Sequence, residues 1–271
     1  MKWAGGRNPK LQARFGVILF WLFTATVAFA ADDKEKKEPK KPEPPGVTTV
    51  IPPAISAGAT NQVRVRGINL TNVTELRFTN DTFKPVVTIK SAGKADLPKD
   101  ADAKKLGDTQ LELELTPASD APTGTNYFVV VSPDGTSEPR ALIVLPAGSL
   151  VPEQEPNGGF KQAQPLRPGQ TVSGVIKEAG DVEVFRFTGK RGQRVRIEVR
   201  AAAVGSLLDS VLSLLDQAGH VLATNDDAGS SRDSTIQATL PADGDYLLSL
   251  IDAHEKGGPT HTYLLSVLEG L

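Results

Sequence analysis

Residues 193–201 read QRVRIEVRA, and apolar and charged side chains alternate strictly along this stretch. Successive side chains of a β-strand point to opposite faces, so a period of two predicts a strand with one buried face and one solvent face. We expect Val195, Ile197 and Val199 to lie in a core, and the arginines and the glutamate between them to face water.

The same alternation recurs in the N-terminal half, in QVRVRG at 62–67, where Arg64 and Arg66 alternate with valines, and in QLELELT at 110–116. Short alternating strands separated by turn residues predict antiparallel sandwiches rather than a parallel sheet covered by helices. The charged segment 94–108 is an exception, for which we expect a loop insertion with room for one helical turn. The predicted fold class is all-β, with two tandem β-sandwiches, and eight short strands favour a jelly-roll-like form for the second.

The first thirty residues have the features of an export signal. Lys2, Arg7, Lys10 and Arg14 form a basic region without acids, and an apolar run follows that ends in Ala-Phe-Ala at Ala30. The run is about 15 residues long, which is short for a membrane span. We therefore predict a signal peptide over 1–30 that is cleaved after Ala30, in preference to a retained anchor, and no membrane span in the mature chain.

Residues 32–45, DDKEKKEPKKPEPP, contain only Asp, Glu, Lys and Pro. No apolar side chain offsets the entropy of ordering this stretch, so we predict a disordered, charged linker over 31–46. The domain organisation expected beyond it is one sandwich over 47–147 and a second over 151–269.

Composition excludes several classes of function. Loss of the four basic residues of the signal would move the formal net charge from −2 to −6, and a mildly acidic chain without a basic stripe is a poor nucleic-acid partner. There is no cysteine, which rules out disulfide-stapled scaffolds and cysteine catalysis. The sequence also lacks Gly-x-Ser-x-Gly, and its three histidines fall in turn or loop contexts. We predict no catalytic and no cofactor-binding residues.

The stretch VTTVIPPAISAGATNQVRVRGINL and the later PTGTNYFVVVSPDGTSEPRALIVL resemble the first and last strands of the immunoglobulin-like IPT/TIG family. The resemblance covers about residues 47–146, with a divergent middle. It implies an immunoglobulin-like first sandwich. Domains of this family usually bind proteins or act as spacers in surface chains, and no catalytic residues come with the resemblance.

The second half resembles the bacterial pre-peptidase C-terminal domain family. EPN, SGVI, GDVEVFRF, GQRVRIEV, LLDSVLSLLDQAGHVLATNDD, LPADGDYLLSLID and TYLLSV occur in the family's order over about residues 153–267. The resemblance implies a non-catalytic β-sandwich used for binding, surface attachment or handling after export. The peptidase to which such domains are often fused is absent from this sequence.

Glu153, Glu155 and Asn157 carry oxygen ligands at a spacing of two in EQEPN, and an extended chain would place them on one side. Calcium takes six to eight oxygens. In calcium-binding members of the family, the resemblance implies further ligands at positions that correspond to Ser173, Glu178 and Asp181, with Glu183 close by. The next family position is often acidic but is Gly158 here. The alternative is a family turn without metal, with Asp181 as a strand cap.

Two other polar segments favour loops over metal sites. NDDAGSSRD at 225–233 lacks the Asp-x-Asp-x-Asp-Gly spacing of a calcium loop, so we predict a hairpin tip. In HEKGGPTH at 254–261 the histidines are seven apart across Gly-Gly-Pro, which forbids the helix of a zinc protease motif and predicts a surface hairpin loop.

The leading functional hypothesis is a non-enzymatic exported module, with calcium as a candidate cofactor. Its partner would be a protein or an extracellular polymer, and it would act in the periplasm, at the cell surface or in the medium. The first alternative is an accessory or spacer protein for a separately encoded secreted protease or surface assembly. The second is a hydrolase with an unrecognised site.

Overall fold

The computed structural model describes residues 42–97, 99 and 101–270. The predicted signal peptide and residues 31–41 of the predicted linker lie outside the described residues. Within the described part, nearly all regular structure is β, which confirms the predicted fold class. No helix of that part is long and apolar enough to cross a membrane.

The first sandwich consists of two sheets and one short helix. Its elements are β1 (Gly46–Ile51), β2 (Ala54–Ser56), β3 (Asn61–Ile68), β4 (Glu75–Phe78), β5 (Val86–Lys94), α1 (Ala103–Leu106), β6 (Thr109–Thr116), β7 (Gly124–Ser132), β8 (Gly135–Thr136) and β9 (Arg140–Leu145). One sheet has the order β1-β3-β6-β5 and the other β2-β9-β7-β4, with β8 paired to β7. The single turn of α1 lies within the segment 94–108, for which a loop with one helical turn was expected.

The alternating leucines of β6 form the centre of this core, as predicted. Leu111, Leu113 and Leu115 are fully buried against residues of the facing sheet such as Phe128 and Leu142. The glutamates between the leucines point outward and pair with basic residues of the neighbouring strands.

One residue of this sandwich departs from its predicted position. Arg66 was expected to face water, but only 7% of its surface is exposed. The loop inserted between β5 and β6 folds over it, and the Arg66 guanidinium donates to the carbonyls of Asp96 (2.7 Å) and Gly107 (3.1 Å). The prediction was wrong because strand alternation cannot foresee a distant loop that covers the outer face.

The second sandwich follows the same two-sheet plan. Its elements are β10 (Leu150–Pro152), β11 (Gln164–Pro165), β12 (Thr171–Val175), β13 (Glu183–Gly189), β14 (Arg194–Arg200), the 3-10 helix η1 (Ala202–Val204), β15 (Ser210–Asp216), β16 (Val221–Asn225), β17 (Thr235–Thr239), β18 (Gly244–Asp252) and β19 (Thr262–Glu269). The sheet orders are β10-β12-β19-β14-β17 and β11-β13-β18-β15-β16.

Strand β14 holds the predicted register. Val195, Ile197 and Val199 are buried in the core between the two sheets, where they meet residues of the opposite sheet such as Phe185 and Leu248. Burial of each such aliphatic side chain contributes on the order of 1.5–3 kcal/mol.

A small apolar cluster joins the two sandwiches. Ala54 of β2 and Ile143 of β9 pack with Val204 of η1 and Leu264 of β19, and all four are buried. Contact between the sandwiches therefore rests on apolar packing.

Candidate metal site

The candidate site lies where the segment after β10 passes one end of the second sandwich. The Glu153 amide donates to the Ser173 carbonyl (3.0 Å), which extends the parallel pairing of β10 with β12 by one residue. The Glu153 carboxylate then accepts a hydrogen bond from the Val175 amide (2.9 Å). Two contacts to β12 thus fix the direction of the Glu153 side chain.

The chain bends at Glu155 and Pro156, and the peptide bond between them is cis. After this bend, Asn157 lies against the sandwich. The Asn157 amide donates to a carboxylate oxygen of Glu155 (3.1 Å), and the Asn157 carbonyl accepts from the Val184 amide (3.0 Å). Asn157 is fully buried, and its Nδ2 lies 3.5 Å from Glu153 Oε1. A turn held by hydrogen bonds, rather than a continuous strand, places these three side chains together.

The two sheets supply the remaining groups. Glu183 is the first residue of β13 and is fully buried. One carboxylate oxygen from each of Glu153, Glu155 and Glu183 lies within 4.8 Å of the other two. Tyr263 reaches the same place from β19, where Gly174 leaves room for it. A Cβ on Gly174 would clash with the Tyr263 hydroxyl and lie 2.6 Å from Glu153 Oε2, so glycine is required by the close approach.

Four buried oxygens of three residues at this place lack hydrogen-bond partners in the part of the chain that the structure describes, whereas those of Glu153 and Glu155 have them. Among the described residues, none pairs with either carboxylate oxygen of Glu183, with Asn157 Oδ1 or with the Tyr263 hydroxyl. Leaving a buried polar group unpaired costs about 1–3 kcal/mol, and more for a charged one. Several such groups close together indicate a place where an ordered water or an ion would be bound.

The pKa of Glu183 is raised to about 10. Burial is the larger cause, and contact with the Glu153 carboxylate is the second. Burial and the nearby carboxylates also raise the pKa of Tyr263. Glu183 is therefore protonated at neutral pH unless a cation takes the place of its proton.

Lys177 supplies one positive charge at the rim. Its Nζ lies 2.5 Å from Glu155 Oε1, and this hydrogen bond lowers the pKa of Glu155 and raises the pKa of Lys177. The ammonium reaches Glu155, which is exposed, while Glu183 lies buried beneath it. Lys177 therefore neutralises only the outer part of the cluster.

The donor set suits a hard divalent cation. Three carboxylates with a phenol oxygen nearby give the oxygen-rich environment that calcium prefers, whereas zinc usually takes nitrogen and sulfur ligands. In the described part of the chain, this is the one group of three or more histidine, cysteine or acidic residues close enough to share an ion.

The other residues predicted from the sequence lie at different places. Ser173 lines an apolar groove of about 390 Å³ between the sandwiches. Glu178 is exposed in the turn before β13, and the Asp181 carboxylate accepts from the Lys177 amide (2.8 Å) and thereby caps that turn. Gly158 is exposed, and its Cβ position lies 3.2 Å from a backbone carbonyl.

Sequence reasoning missed Tyr263, Gly174 and Lys177 as parts of this site. Tyr263 is distant in sequence from the EQEPN segment, and only the pairing of β12 with β19 brings Gly174 opposite Tyr263. The signal available beforehand was a tyrosine at a core position of the TYLLSV strand, because a buried phenol needs a polar partner.

The histidine segment 254–261 is only partly the surface loop that was predicted. His254 is exposed and lies 3.5 Å from a carboxylate oxygen of Asp209. Thr260 and His261 are buried, so for them the prediction was wrong. Burial also lowers the pKa of His261.

Comparison with known proteins identifies part of the second sandwich. Residues 181–251 match the bacterial pre-peptidase C-terminal domain, which confirms the predicted resemblance for this part of the chain. The match is narrower than the range 153–267 suggested by the motifs. It includes Glu183 but neither the EQEPN segment nor Tyr263. The IPT/TIG resemblance of the first sandwich stays a prediction.

A probable subtilase-type serine protease of Deinococcus radiodurans is 40% identical over 116 residues, which are 41% of this chain and 16% of that protein. The chain thus spans about a sixth of the length of this relative.

Two solved structures also align with the chain. The pre-peptidase C-terminal domain of collagenase from Bacillus anthracis covers 42% of this chain and is itself covered to 99%, at 18% identity and a TM-score of 0.32. The periplasmic inhibitor of g-type lysozyme from Aeromonas hydrophila covers 45% of this chain and is covered to 96%, at 19% identity and a TM-score of 0.31. Likenesses at these TM-scores carry no argument about function.

Proposed function

We propose that the protein is an exported, non-enzymatic binding module whose second sandwich is stabilised by calcium. One observation carries the calcium part of this proposal. The carboxylates of Glu153, Glu155 and Glu183 lie close together, and both oxygens of Glu183 are buried without a hydrogen-bond partner among the described residues. The ligand would be a protein or a polymer, met at the cell envelope or outside the cell.

The energetic argument for calcium begins with Glu183. A buried carboxylate is costly without a countercharge, and its raised pKa expresses that cost. A divalent ion would supply two positive charges to the three carboxylates, which lie within reach of one ion. Extracellular modules bind calcium with dissociation constants of about 0.1–1 mM, so such a site suits an exported protein.

The role of the ion would be structural. Glu153 and Glu155 belong to the segment that leaves β10, whereas Glu183 belongs to β13, so a shared ion would tie this segment to the sandwich. The ion would contribute stability without performing a reaction, as structural metal sites do.

The alternative role is an accessory or spacer protein for a separately encoded secreted protease. The partial match to a probable subtilase-type protease, of which this chain spans 16%, favours this candidate. It predicts capture of one defined protein partner and no affinity for polysaccharide or matrix proteins.

Thermal melting tests the calcium part of the proposal. The exported form, residues 31–271, is melted in EDTA and in calcium at concentrations up to 10 mM. A free calcium concentration 100 times the dissociation constant would stabilise the fold by about 2.7 kcal/mol. Glu183→Gln should abolish the rise in melting temperature, while Glu178→Gln, an exposed acid of the neighbouring turn, should retain it.

A rise that survives Glu183→Gln but not Glu178→Gln would place the ligands on the set inferred from sequence instead. Calorimetry that detects no binding tighter than about millimolar would end the calcium proposal. The binding role is tested by pull-down from envelope and culture fractions, with and without calcium. Turnover of peptide, ester or glycoside substrates that one acid or histidine substitution abolishes would replace it with an enzymatic role.

A further inference from the structure

Strand β14 presents a row of arginines on the outer face of the second sandwich. Arg194, Arg196 and Arg200 all point away from the core, and Arg194 and Arg200 are exposed. At about 3.3 Å per residue, the row extends roughly 20 Å along the strand.

The neighbouring strands do not place acids opposite these arginines. Arg194 pairs in register with Thr239 of β17, and Arg196 pairs with Gln237. On the other side, Arg196 lies opposite Leu268 of β19, and Arg200 lies opposite Leu264, which is buried against the first sandwich, so Arg200 is exposed at the edge of that contact. The cross-strand partners are thus hydroxyl, amide and apolar groups.

The equivalent outer face of the first sandwich is arranged differently. Arg64 of β3 lies directly opposite Glu112 of β6, with Nε 2.6 Å from Oε1. Lys90 of β5 lies 3.3 Å from Glu114. Opposite charges across strands stabilise a sheet and leave little net charge on its face. The first sandwich therefore shows how this chain builds a neutral solvent face.

One acid, Glu198, accompanies the arginines of β14. It forms ion pairs with Arg196 and with Arg200 (3.4 Å to Nη2) and is only 8% exposed, so the two arginines cover it. Arg194 has no ion pair with any residue of the described part. Two guanidinium groups therefore share one carboxylate and the third has none in that part, on a protein whose formal net charge is negative.

A shallow polar groove of about 230 Å³ runs beside this row. The side chains of Arg194, Arg196, Gln237 and Thr239 line it, over the backbone of β14 and β17. Exposed amide and hydroxyl groups thus lie beside Arg194 and Arg196 at one end of the row, whereas Arg200 lies outside the groove.

We infer that this face binds a linear anionic polysaccharide, a conclusion that rests on the proposed binding function and names its ligand class. Regular carboxylate or sulfate groups would pair with the arginines, which form strong bidentate hydrogen bonds to such groups. Sugar hydroxyls would meet Gln237 and Thr239. Protein interfaces usually have an apolar core, whereas this face offers only charged and polar groups, and β14 and β17 carry no aromatic residue.

The test measures binding of residues 31–271 to immobilised hyaluronan, dextran sulfate and neutral dextran at 50 mM salt, with polyglutamate as an acidic polypeptide. We expect binding to one or both anionic polysaccharides and none to dextran. The uronate and sulfate arms show which anionic group is preferred. Arg194→Gln/Arg200→Gln should weaken binding at least tenfold and lower the slope of log Kd against log salt by about two.

The matched control is Arg64→Gln/Lys90→Gln, which removes the same charge from the neutral face and should leave affinity within about twofold. Equal losses in both double variants, or no binding by the native chain, would overturn the inference. Binding to polyglutamate as tight as that to the polysaccharides would overturn it in favour of an acidic protein ligand.

The two proposals fail separately. The calcium-dependent rise in melting temperature is measured on the same arginine variant, and its retention together with lost polysaccharide binding supports the assignment to β14. If the native chain binds no anionic polysaccharide but captures a partner by pull-down, only the ligand class is wrong. If it also captures no partner, the binding function itself fails.

Discussion

Each sandwich buries an ionisable side chain, Arg66 in the first and Glu183 in the second, and the two differ in their hydrogen-bond partners. In the first sandwich, Nη2 of Arg66 donates to two loop carbonyls, while its buried Nε has no partner among the described residues. In the second, Glu183 is fully buried, and no described residue pairs with its carboxylate oxygens. A buried charge whose hydrogen bonds are made belongs to the fold, whereas one without them is stable only when neutralised by a proton or a ligand.

The contrast separates a structural residue from a candidate ligand without reference to any relative. Arg66 also fastens the loop between β5 and β6, since both of its carbonyl partners belong to that loop. Glu183 instead lies against two further carboxylates, those of Glu153 and Glu155, each with an oxygen within 4.8 Å.

The largest loss of stability is expected from replacing Arg66, the buried charge that has hydrogen-bond partners. Arg66→Ala should destabilise the fold by about 3 kcal/mol, because it leaves two carbonyls without a donor and opens a space under the loop. Chemical denaturation measures this loss. Arg64→Ala on the same strand removes an exposed arginine paired with Glu112 and should cost about 1 kcal/mol or less. Equal losses in the two variants would show that the Arg66 hydrogen bonds contribute little.

The unpaired charge should appear in the pH dependence of stability. The folded pKa of Glu183, about 10, lies above its unfolded value, so the folded state holds a proton that the unfolded state releases. In calcium-free buffer, stability should fall as pH rises from 7 to 9, by up to about 1.4 kcal/mol per pH unit for one proton. This range avoids His261, whose pKa is lowered by burial and which titrates at lower pH.

Urea denaturation at each pH, with EDTA, checks this slope. Glu183→Gln should flatten it, because the amide has no proton to lose, and calcium should reduce it by replacing the proton. A native chain whose stability stays constant from pH 7 to 9 would mean that Glu183 is ionised in the fold, and the contrast with Arg66 would disappear.

The sequence predicts the strands and cores well because their periodicity is local. Val195, Ile197 and Val199, like the leucines of β6, needed only alternation to be placed. Arg66 follows the same alternation and is nevertheless buried, since its environment depends on a loop some thirty residues away. Local patterns therefore predict direction relative to the sheet but not what covers the outer face.

The candidate site divides in the same way. The spacing of Glu153, Glu155 and Asn157 was visible in one short segment, and the structure brings these residues together with Glu183. Tyr263 and Gly174 required the register of β12 against β19, which no local pattern contains.

A smaller effect is expected from the glycine that admits Tyr263 to the cluster. Gly174→Ala would press a methyl group against the Tyr263 hydroxyl and Glu153 Oε2 and should cost about 1–2 kcal/mol by crowding. It should also reduce calcium-dependent stabilisation, as measured by melting in calcium and in EDTA. The matched control is Gly93→Ala on β5, where a Cβ meets no atom within 4 Å. If Gly174→Ala behaves like Gly93→Ala in both buffers, the close approach of Tyr263 to Glu153 is not needed for the site.

The smallest expected effect concerns the lysine at the rim. Lys177 competes with a bound cation for Glu155, but the pair is exposed, so its removal should change the binding free energy by about 1 kcal/mol or less. Lys177→Gln should therefore tighten calcium binding up to about fivefold in calorimetry. The control is Lys161→Gln, which changes an exposed lysine in the loop after the EQEPN segment. Weaker binding by Lys177→Gln would mean that the lysine supports the site by holding Glu155 in place. Glu155 would then resemble Arg66, a charge already paired by the fold, and only Glu153 and Glu183 would remain as carboxylates that await a ligand.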